Sequence, residues 1–546
     1  MEINFGEKKS QEHRLELIRV KEEEEVAKKT AEFFGLPYID LAFKPVQREA
    51  LEIIPEGEAR RANLSVIQKR ADSVGVALLD PENQYTKEII ENLRKKFKEI
   101  SVFVVSARSL KKAWANYPTA EAKGKISGQV AISPKSLEQF KESITSISDL
   151  KKNVEMISLQ KNVSSIVELL LASSLSLKAS DIHVEPEEKN IHLRLRIDGL
   201  MHDVAQFDLR VYNLLLSRVK LLSAMKLNIH NIAQGGRFAV TFENFEIQIR
   251  SSILPGEYGE NIVLRVLNPQ SLLSIKELGI RDDLLKIIDK QILRPNGMIL
   301  VTGPTGSGKT TTLYAFLKKL QKPESKIITV EDPIEYHLAG ISQTQVAPEV
   351  GYTFSSGLRG ILRQDPDIIL IGEIRDLETA DTALQASLTG HLLLSTLHTN
   401  DAAGVVPRLV DLGVNANAIG PALNMAIAQR LIRTVCGACC ALEKATPEQL
   451  ELFRVVLGDR LEKDLKLPVA RGCGACNNNG YQGRIGVFEI LVSNIEFEKF
   501  IAPSPSITEI RNFLKETGMT SLRYDGFLKI LQGITTLEEV NRVVGA

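Results

Sequence analysis

Residues 303–312 read Gly-Pro-Thr-Gly-Ser-Gly-Lys-Thr-Thr-Thr, directly after the short apolar run Met298-Ile299-Leu300-Val301-Thr302. A glycine-rich loop that follows a buried strand and opens a helix at Lys309-Thr310 has the spacing of a P-loop. Gly303, Gly306 and Gly308 let the backbone bend until its N–H groups point inward at phosphate oxygens, and the positive end of the helix dipole adds to the same field. Pro304, Thr305, Ser307 and Thr311 complete the loop that would surround the phosphates. Lys309 is placed to reach the β- and γ-phosphates, and Thr310 to offer its hydroxyl to magnesium. Pattern and context together imply binding of a nucleoside triphosphate.

Hydrolysis of a γ-phosphate asks for magnesium held in place, a water aimed in line, and positive charge against the equatorial oxygens. Candidates stand where three further apolar runs end. Glu331-Asp332-Pro333-Ile334-Glu335-Tyr336 closes and follows run 326–331, Gly372-Glu373-Ile374-Arg375-Asp376 follows 367–371, and His398-Thr399-Asn400-Asp401 follows 391–397. Glu373 stands where the second metal-holding carboxylate of a P-loop enzyme is expected, and Glu335 is the preferred base or water-orienting group. The two roles are exchangeable, because sequence does not fix distances. A lone carboxylate at a strand end is often only a helix N-cap, so the order of the two after the P-loop carries the argument. His391 and His398 flank the last run, and each fits a core histidine, a subunit-interface group or a γ-phosphate sensor. Metal ligation is disfavoured there, since the nearby chain offers no third ligand of suitable spacing.

Four of the five cysteines fall into two C-x-x-C knuckles, Cys436-Gly437-Ala438-Cys439 and Cys473-Gly474-Ala475-Cys476. Four thiolates make a closed tetrahedral zinc site with no position for a substrate water, so the expected zinc is structural. Two redox pairs are the alternative, which a cytosolic setting disfavours. Cys440 is read as a bystander.

These groups need elements to position them. At 546 residues the chain is too long for one core and suggests about three domains. A 44% hydrophobic and 25% charged composition is that of an ordinary globular protein. Acidic and basic residues balance at 68 each, so no global field favours nucleic acid or an anionic membrane. No run approaches the length of a membrane span and Met1-Glu2-Ile3-Asn4 lacks a signal-peptide pattern, which points to the cytoplasm. The stretch Lys21-Glu22-Glu23-Glu24-Glu25 reads as a solvated helix face. Residues 1–118 form a small α/β domain, with strands at 65–67, 74–78 and 102–105 and a helix at 86–97, and 119–153 reads as a linker.

Residues 154–268 form a second α/β domain. Ile191, Leu193, Leu195 and Ile197 share one strand face and His192, Arg194 and Arg196 the other; Phe245, Ile247 and Ile249 oppose Glu246, Gln248 and Arg250; and Ile262, Leu264 and Val266 oppose Val263 and Arg265. Taken alone, such arginine rows are more often solvated or salt-bridged than functional. From residue 269 to 546, strands 298–302, 326–331, 367–372 and 391–397 are separated by crossover lengths, which predicts a parallel sheet with its ligand at the strands' carboxyl ends.

With these residues in place the chain resembles the assembly ATPases of type II secretion and type IV pilus systems, of the extension type. The resemblance is carried by the P-loop, the acidic box Ile328 to Tyr336, Arg363-Gln364-Asp365-Pro366-Asp367 leading to Glu373-Ile374-Arg375-Asp376, and the histidine boxes Thr389-Gly390-His391 and Leu397 to Ala402. Ala179 to Pro186, Arg194 to Gly199 and the cysteine knuckles add to it; it is strong from Ile166 to Leu491. It implies an α/β fold: a RecA-like P-loop ATPase core with a zinc-knuckle insertion at 436–476, preceded by a PAS-like α/β domain and a small α/β N-terminal, partner-docking domain.

It further implies ATP with magnesium, a homo-hexamer with shared active sites, and a cytoplasmic motor peripheral to the inner membrane that acts on a membrane-embedded platform protein. The preceding domain would contribute arginines to bound nucleotide, from among Arg194, Arg196, Arg237, Arg250 and Arg265, with Arg194 and Arg237 chosen beside Glu335, Glu373 and His398. Two departures stand out: Gly235 occupies a position where the family usually has Asp, and the N-terminal region shows no Arg-Leu-Gly repeat of the kind linked to cyclic-di-GMP, so that ligand is not expected. Retraction motors lack the knuckles and the extended N-terminal domain, which favours extension or secretion. A nucleic-acid translocase on the same core is the rival reading, and neutral charge without aromatic-basic interleaving counts against it.

Overall fold

The computed structural model describes residues 22–41, 48–51, 53–70, 73–97, 99–114, 143–160, 163–241, 246–269, 272–458 and 464–545. The chain falls into two compact units, Met1–Ile126 and Ser127–Ala546. Lys21, Phe245 and residues 119–142 of the expected linker lie outside the described residues; 147–160 of that region and beyond is helix.

In the first unit, β1 (Leu64–Arg70), β2 (Ser73–Leu78) and β3 (Glu99–Val104) form one sheet, β1 antiparallel and β3 parallel to β2. The crossover is α1 (Gln84–Lys96), started by Asn83, whose side chain accepts from the Tyr85 and Thr86 amides. Leu64, Val66, Val76, Leu78 and Val104 bury one face of the sheet with Leu93 of the helix.

The second unit opens with α2 (Ile147–Gln160) and α3 (Val163–Ser176). Six strands follow: β4 (Ala179–Pro186), β5 (Ile191–Ile197), β6 (Leu200–Phe207), β7 (Gln234–Thr241), β8 (Glu246–Pro255) and β9 (Glu260–Leu267), with α4 (Leu209–Leu222) between β6 and β7. They lie in the order β6-β5-β4-β9-β8-β7, all antiparallel. Strict alternation decides the faces: Ile191, Leu193, Leu195 and Ile197 are buried with Ile182, Val184, Ile247, Ile249, Ile262 and Leu264 under α3 and α4, while the arginines stand on the other face.

The remainder builds a seven-stranded sheet from β10 (Gly297–Thr302), β11 (Ile327–Glu331), β12 (Ser342–Gln345), β13 (Ile368–Ile371), β14 (Leu392–Leu397), β15 (Leu423–Val435) and β18 (Tyr481–Val492). Between the last two, β16 (Ala441–Lys444) and β17 (Lys466–Val469) form a small antiparallel pair. The sheet order is β12-β11-β13-β14-β10-β15-β18, parallel except for β18. Every residue of β10, β13 and β14 is buried, as parallel strands covered on both faces must be. One side is packed by α5 (Lys309–Leu320) through Leu313, Phe316 and Leu317, and the other by α6 (Leu377–Leu388) through Ala380, Ala383 and Leu384. All the carboxyl ends of the parallel strands therefore open on one edge, where β14 separates the P-loop strand β10 from β13.

Candidate active site

At that edge the chain after β10 turns sharply into α5. Gly303 (φ 148°) has no room for a side chain: a Cβ there would lie 2.5 Å from the Gln429 carbonyl and 2.7 Å from Ser307 Oγ. Gly308 (φ 87°) takes the left-handed conformation that starts α5. The tight loop leaves Ser307 Oγ buried without a hydrogen-bond partner. Lys309 Nζ donates to the Gly303 carbonyl at 2.8 Å and the Pro304 carbonyl at 3.2 Å. Burial pulls its pKa down, Glu373 pushes it back up and Arg430 pulls it down again.

The loop opens on a cleft of about 770 Å³ lined by Thr305 to Thr311, Glu335, Glu373 and His398 on the motor side and by Asp181, Arg196 and Arg265 on the side of the six-stranded sheet. Glu373 lies between an arginine and a histidine, its Oε1 2.5 Å from Arg375 and its Oε2 3.5 Å from His398 Nε2. Burial and the Lys309 charge hold the His398 imidazole below its ordinary pKa, against the opposing pull of Glu373. The position of β14 beside β13 is what brings His398 to Glu373. His391, at the other end of that strand, is remote from this edge, and its Nδ1 lies 3.1 Å from the Ala386 carbonyl.

Glu335 is half-buried, and its buried Oε2 has no hydrogen-bond partner. Burial raises its pKa; Arg250, Arg265 and Arg237, in that order, pull it down, and Glu331 raises it slightly. These arginines form a row. Arg237 of β7 faces Arg250 of β8, Arg250 faces Arg265 of β9, Arg265 faces Asp181 of β4, and Asp181 faces Arg196 of β5. One residue per strand, five strands wide, gives four guanidinium groups and one carboxylate, with Asp181 paired to Arg265 at 2.9 Å and to Arg196 at 3.6 Å. Like charges directly opposite one another in a sheet are unfavourable, so a row of this kind calls for an anion to complete it.

Arg237 is directed at the acidic loop, where Glu335 and Asp332 bear on its charge, and its Nη1 donates to Gln345 Oε1 at 3.1 Å. Arg194 has to be set apart from the site. It stands on the same face as Arg196 but two residues on, in the next transverse row, where Glu185 (3.2 Å) and Asp203 (3.1 Å) hold it; it does not line the cleft. The reading of the sequence passed over Arg484 of β18, which lines the cleft, and Arg430 of β15, whose Nη2 donates to the Asn400 carbonyl at 2.7 Å. Neither belongs to a motif, and both arrive from strands far along the chain.

The four knuckle cysteines meet where β15 ends and β18 begins, tied by Cys436 N–H donating to the Gly480 carbonyl. Their sulfurs all lie within 4.8 Å of one another, with separations of 3.9 Å (Cys436–Cys473), 3.8 Å (Cys439–Cys476) and 3.8 Å (Cys473–Cys476). A tetrahedron of thiolates at the zinc–sulfur distance has edges of about 3.8 Å, so the residues fit that ion. Cys440 Sγ instead contacts the Ala441 carbonyl. The oxygen donors Thr310 and Glu373, both lining the cleft, are of the type a hard cation takes.

Comparison with known proteins gives a consistent result. Residues 158–542 match the family described as Type II/IV secretion system protein, and residues 34–123 match the MshEN domain. The chain is 36% identical over 509 residues to the type IV pilus assembly ATPase PilB of Myxococcus xanthus, covering 93% of this chain and 88% of that protein. It is 44% identical over 379 residues to the type II secretion system protein E of Pseudomonas aeruginosa, covering 69% and 74%. Among solved structures, the Legionella pneumophila ATPase DotB superposes with a TM-score of 0.51 at 21% identity, over 69% of this chain and 94% of that one, which supports the shared fold. Among the described residues no helix is long and apolar enough to cross a membrane.

Proposed function

The chain belongs to the Type II/IV secretion system protein family of ATPases, and we propose that it works as a hexameric cytoplasmic motor, peripheral at the inner face of the cell membrane, whose ATP hydrolysis drives pilin or pseudopilin assembly through a membrane platform protein. On this reading residues 1–118 dock a partner, 154–268 supply arginines and 269–546 form the motor. One observation carries the proposal: the P-loop and the arginine row face each other across a single cleft, with Glu335 and Glu373 between them.

The geometry supports the following roles. Gly303 to Thr311 surround the phosphates, Lys309 supplies the charge facing the β- and γ-oxygens, Arg265 and Arg196 supply charge from the opposite wall, and Arg250 and Arg237 continue that row. Thr310 and Glu373 would hold magnesium, which when bound screens the phosphate charge. Glu335, a cleft carboxylate without a partner on Oε2, orients or deprotonates the attacking water. His398, bonded to Glu373, senses the γ-phosphate through it. Cys436, Cys439, Cys473 and Cys476 would hold zinc as a structural clamp on the β15–β18 pair. Drawing the two walls onto one nucleotide, and releasing them after hydrolysis, is the mechanical step.

The test is ATP turnover by the full chain with and without a membrane platform protein, and with single-stranded DNA. Turnover raised by the platform and lost in Lys309→Ala supports the motor reading. Stimulation by DNA and indifference to the platform would replace it with a translocase.

A further inference from the structure

Residues 332–341, which carry Glu335, have no helix or strand of their own. Because Glu335 Oε2 lacks a hydrogen-bond partner, the carboxylate is not fixed from its own end, and its placement has to be imposed through the backbone. Glu331, only 3% exposed at the end of β11, is the knot. Its carboxylate accepts from Tyr314 Oη at 2.5 Å, Thr329 Oγ1 at 2.6 Å and Gln343 Nε2 at 3.1 Å. Gln343 reaches onward to the same loop, donating to the Tyr336 carbonyl at 3.1 Å and accepting from Leu338 N–H at 2.7 Å.

Tyr314 closes the connection. Its hydroxyl donates to Glu331, the backbone amides of Tyr336 and Glu335 bear on its pKa, and its buried ring meets Tyr336 edge-on with centroids 6.1 Å apart. The tyrosine belongs to α5, the helix that begins at Lys309. We infer that Tyr314 is a positioning residue for hydrolysis: its hydroxyl on Glu331 and its ring against Tyr336, the neighbour of Glu335, hold the Glu335 carboxylate in register with the phosphate-binding Lys309. The inference rests on the reading of Glu335 as the water-orienting group.

The experiment is Tyr314→Phe in the full chain, read by kcat, affinity for a non-hydrolysable ATP analogue, Tm and the pH profile of kcat. A displaced reacting group costs about 10–100-fold in rate, so kcat should fall by that factor while analogue affinity stays within about twofold. A loosened loop lets water reach Glu335, so the acid limb of kcat should move toward lower pH; of the groups facing that carboxylate, Arg250, Arg265 and Arg237 are untouched, and Glu331 keeps its bonds from Thr329 and Gln343. Gln343→Leu, which cuts the second bridge onto the loop, should produce the same pair of changes and serves if the tyrosine variant folds poorly. A drop in kcat that merely tracks Tm and affinity, with the acid limb in place, overturns the inference. Glu335→Gln separates the two layers: full turnover there sinks the reading of Glu335 itself, whereas an inactive Glu335→Gln beside a wild-type Tyr314→Phe sinks only the positioning role.

Discussion

Glu335 sits in an environment that works in two directions. Enclosure by Tyr336, Pro333 and the cleft walls disfavours its charge, while Arg250, the largest of the opposing influences, favours it, and burial wins. A base with a raised pKa is protonated, and idle, over a wider acid range, so kcat should fall with pH through a limb above the ordinary carboxylate range. Arg250→Gln removes the strongest downward pull and should move that limb to still higher pH, which a pH series of single-turnover rates would detect; an unmoved limb would mean that another group titrates. The same shift bears on stability. Because the folded pKa lies above the unfolded one, the fold gains from the protonated form at low pH, and this contribution is lost as pH rises through the folded value. Glu335→Gln, a neutral isostere, should therefore have a higher Tm than the parent at about pH 8 and lose that advantage at about pH 4.

The elements are held by carboxylates deeper than Glu335 and fully paired. Asp525, at 0% exposure in α8 (Leu522–Leu531), accepts from Lys529 at 2.6 Å, from Arg281 at 3.3 Å and from the Phe488 amide of β18 at 2.9 Å. Removing one member of a buried network leaves charges unpaired and costs about 3–5 kcal/mol, so Asp525→Ala should lower the unfolding free energy by that much in denaturant titration and loosen α8 from β18. The cysteine cluster acts on the arm formed by β16, α7 (Pro447–Leu457) and β17, whose Phe453 ring packs 4.6 Å from Phe527. Cys473→Ser should abolish stoichiometric zinc and raise amide exchange in 436–481 by about 10-fold or more while β10 and β13 stay protected. Much of this level was legible in the sequence: Ile368–Ile371 and Leu392–Leu397 could only be strands buried on both faces, and alternation in Ile191–Ile197 fixed which side the arginines take. Strand order was not legible, because β14 enters between β10 and β13 out of sequence order, and that insertion alone joins His398 to Glu373. Alternation also names a face and not a row. Register decides that Arg265 and Arg196 reach the cleft while Arg194 falls to Glu185 and Asp203.

Across the whole second unit, the phosphate cradle belongs to one sheet and the row of arginines to another, so neither completes the site alone. Arg250 is flanked across the strands by Arg237 and Arg265, and directly opposed like charges cost about 0.2–1 kcal/mol per pair. On the proposed reading, the row is a stability cost that a ligand carrying the opposite charge would offset. Replacing its middle member should then have opposite consequences in the two states of the protein. Without nucleotide, Arg250→Gln relieves two repulsions and weakens one attraction to Glu335, so its Tm should equal or exceed that of the parent. With an ATP analogue, linkage adds about 2.7 kcal/mol of stability at a hundredfold excess over Kd, and the variant, with one guanidinium fewer on the phosphates, should gain less at the same concentration. Arg194→Gln supplies the contrast, since its charge is already spent on Glu185 and Asp203: its analogue-induced gain should match the parent's. Thermal unfolding of the three proteins with and without analogue decides the matter, and an equal analogue-induced gain in parent and Arg250→Gln would mean that the nucleotide's charge does not reach the middle of the row.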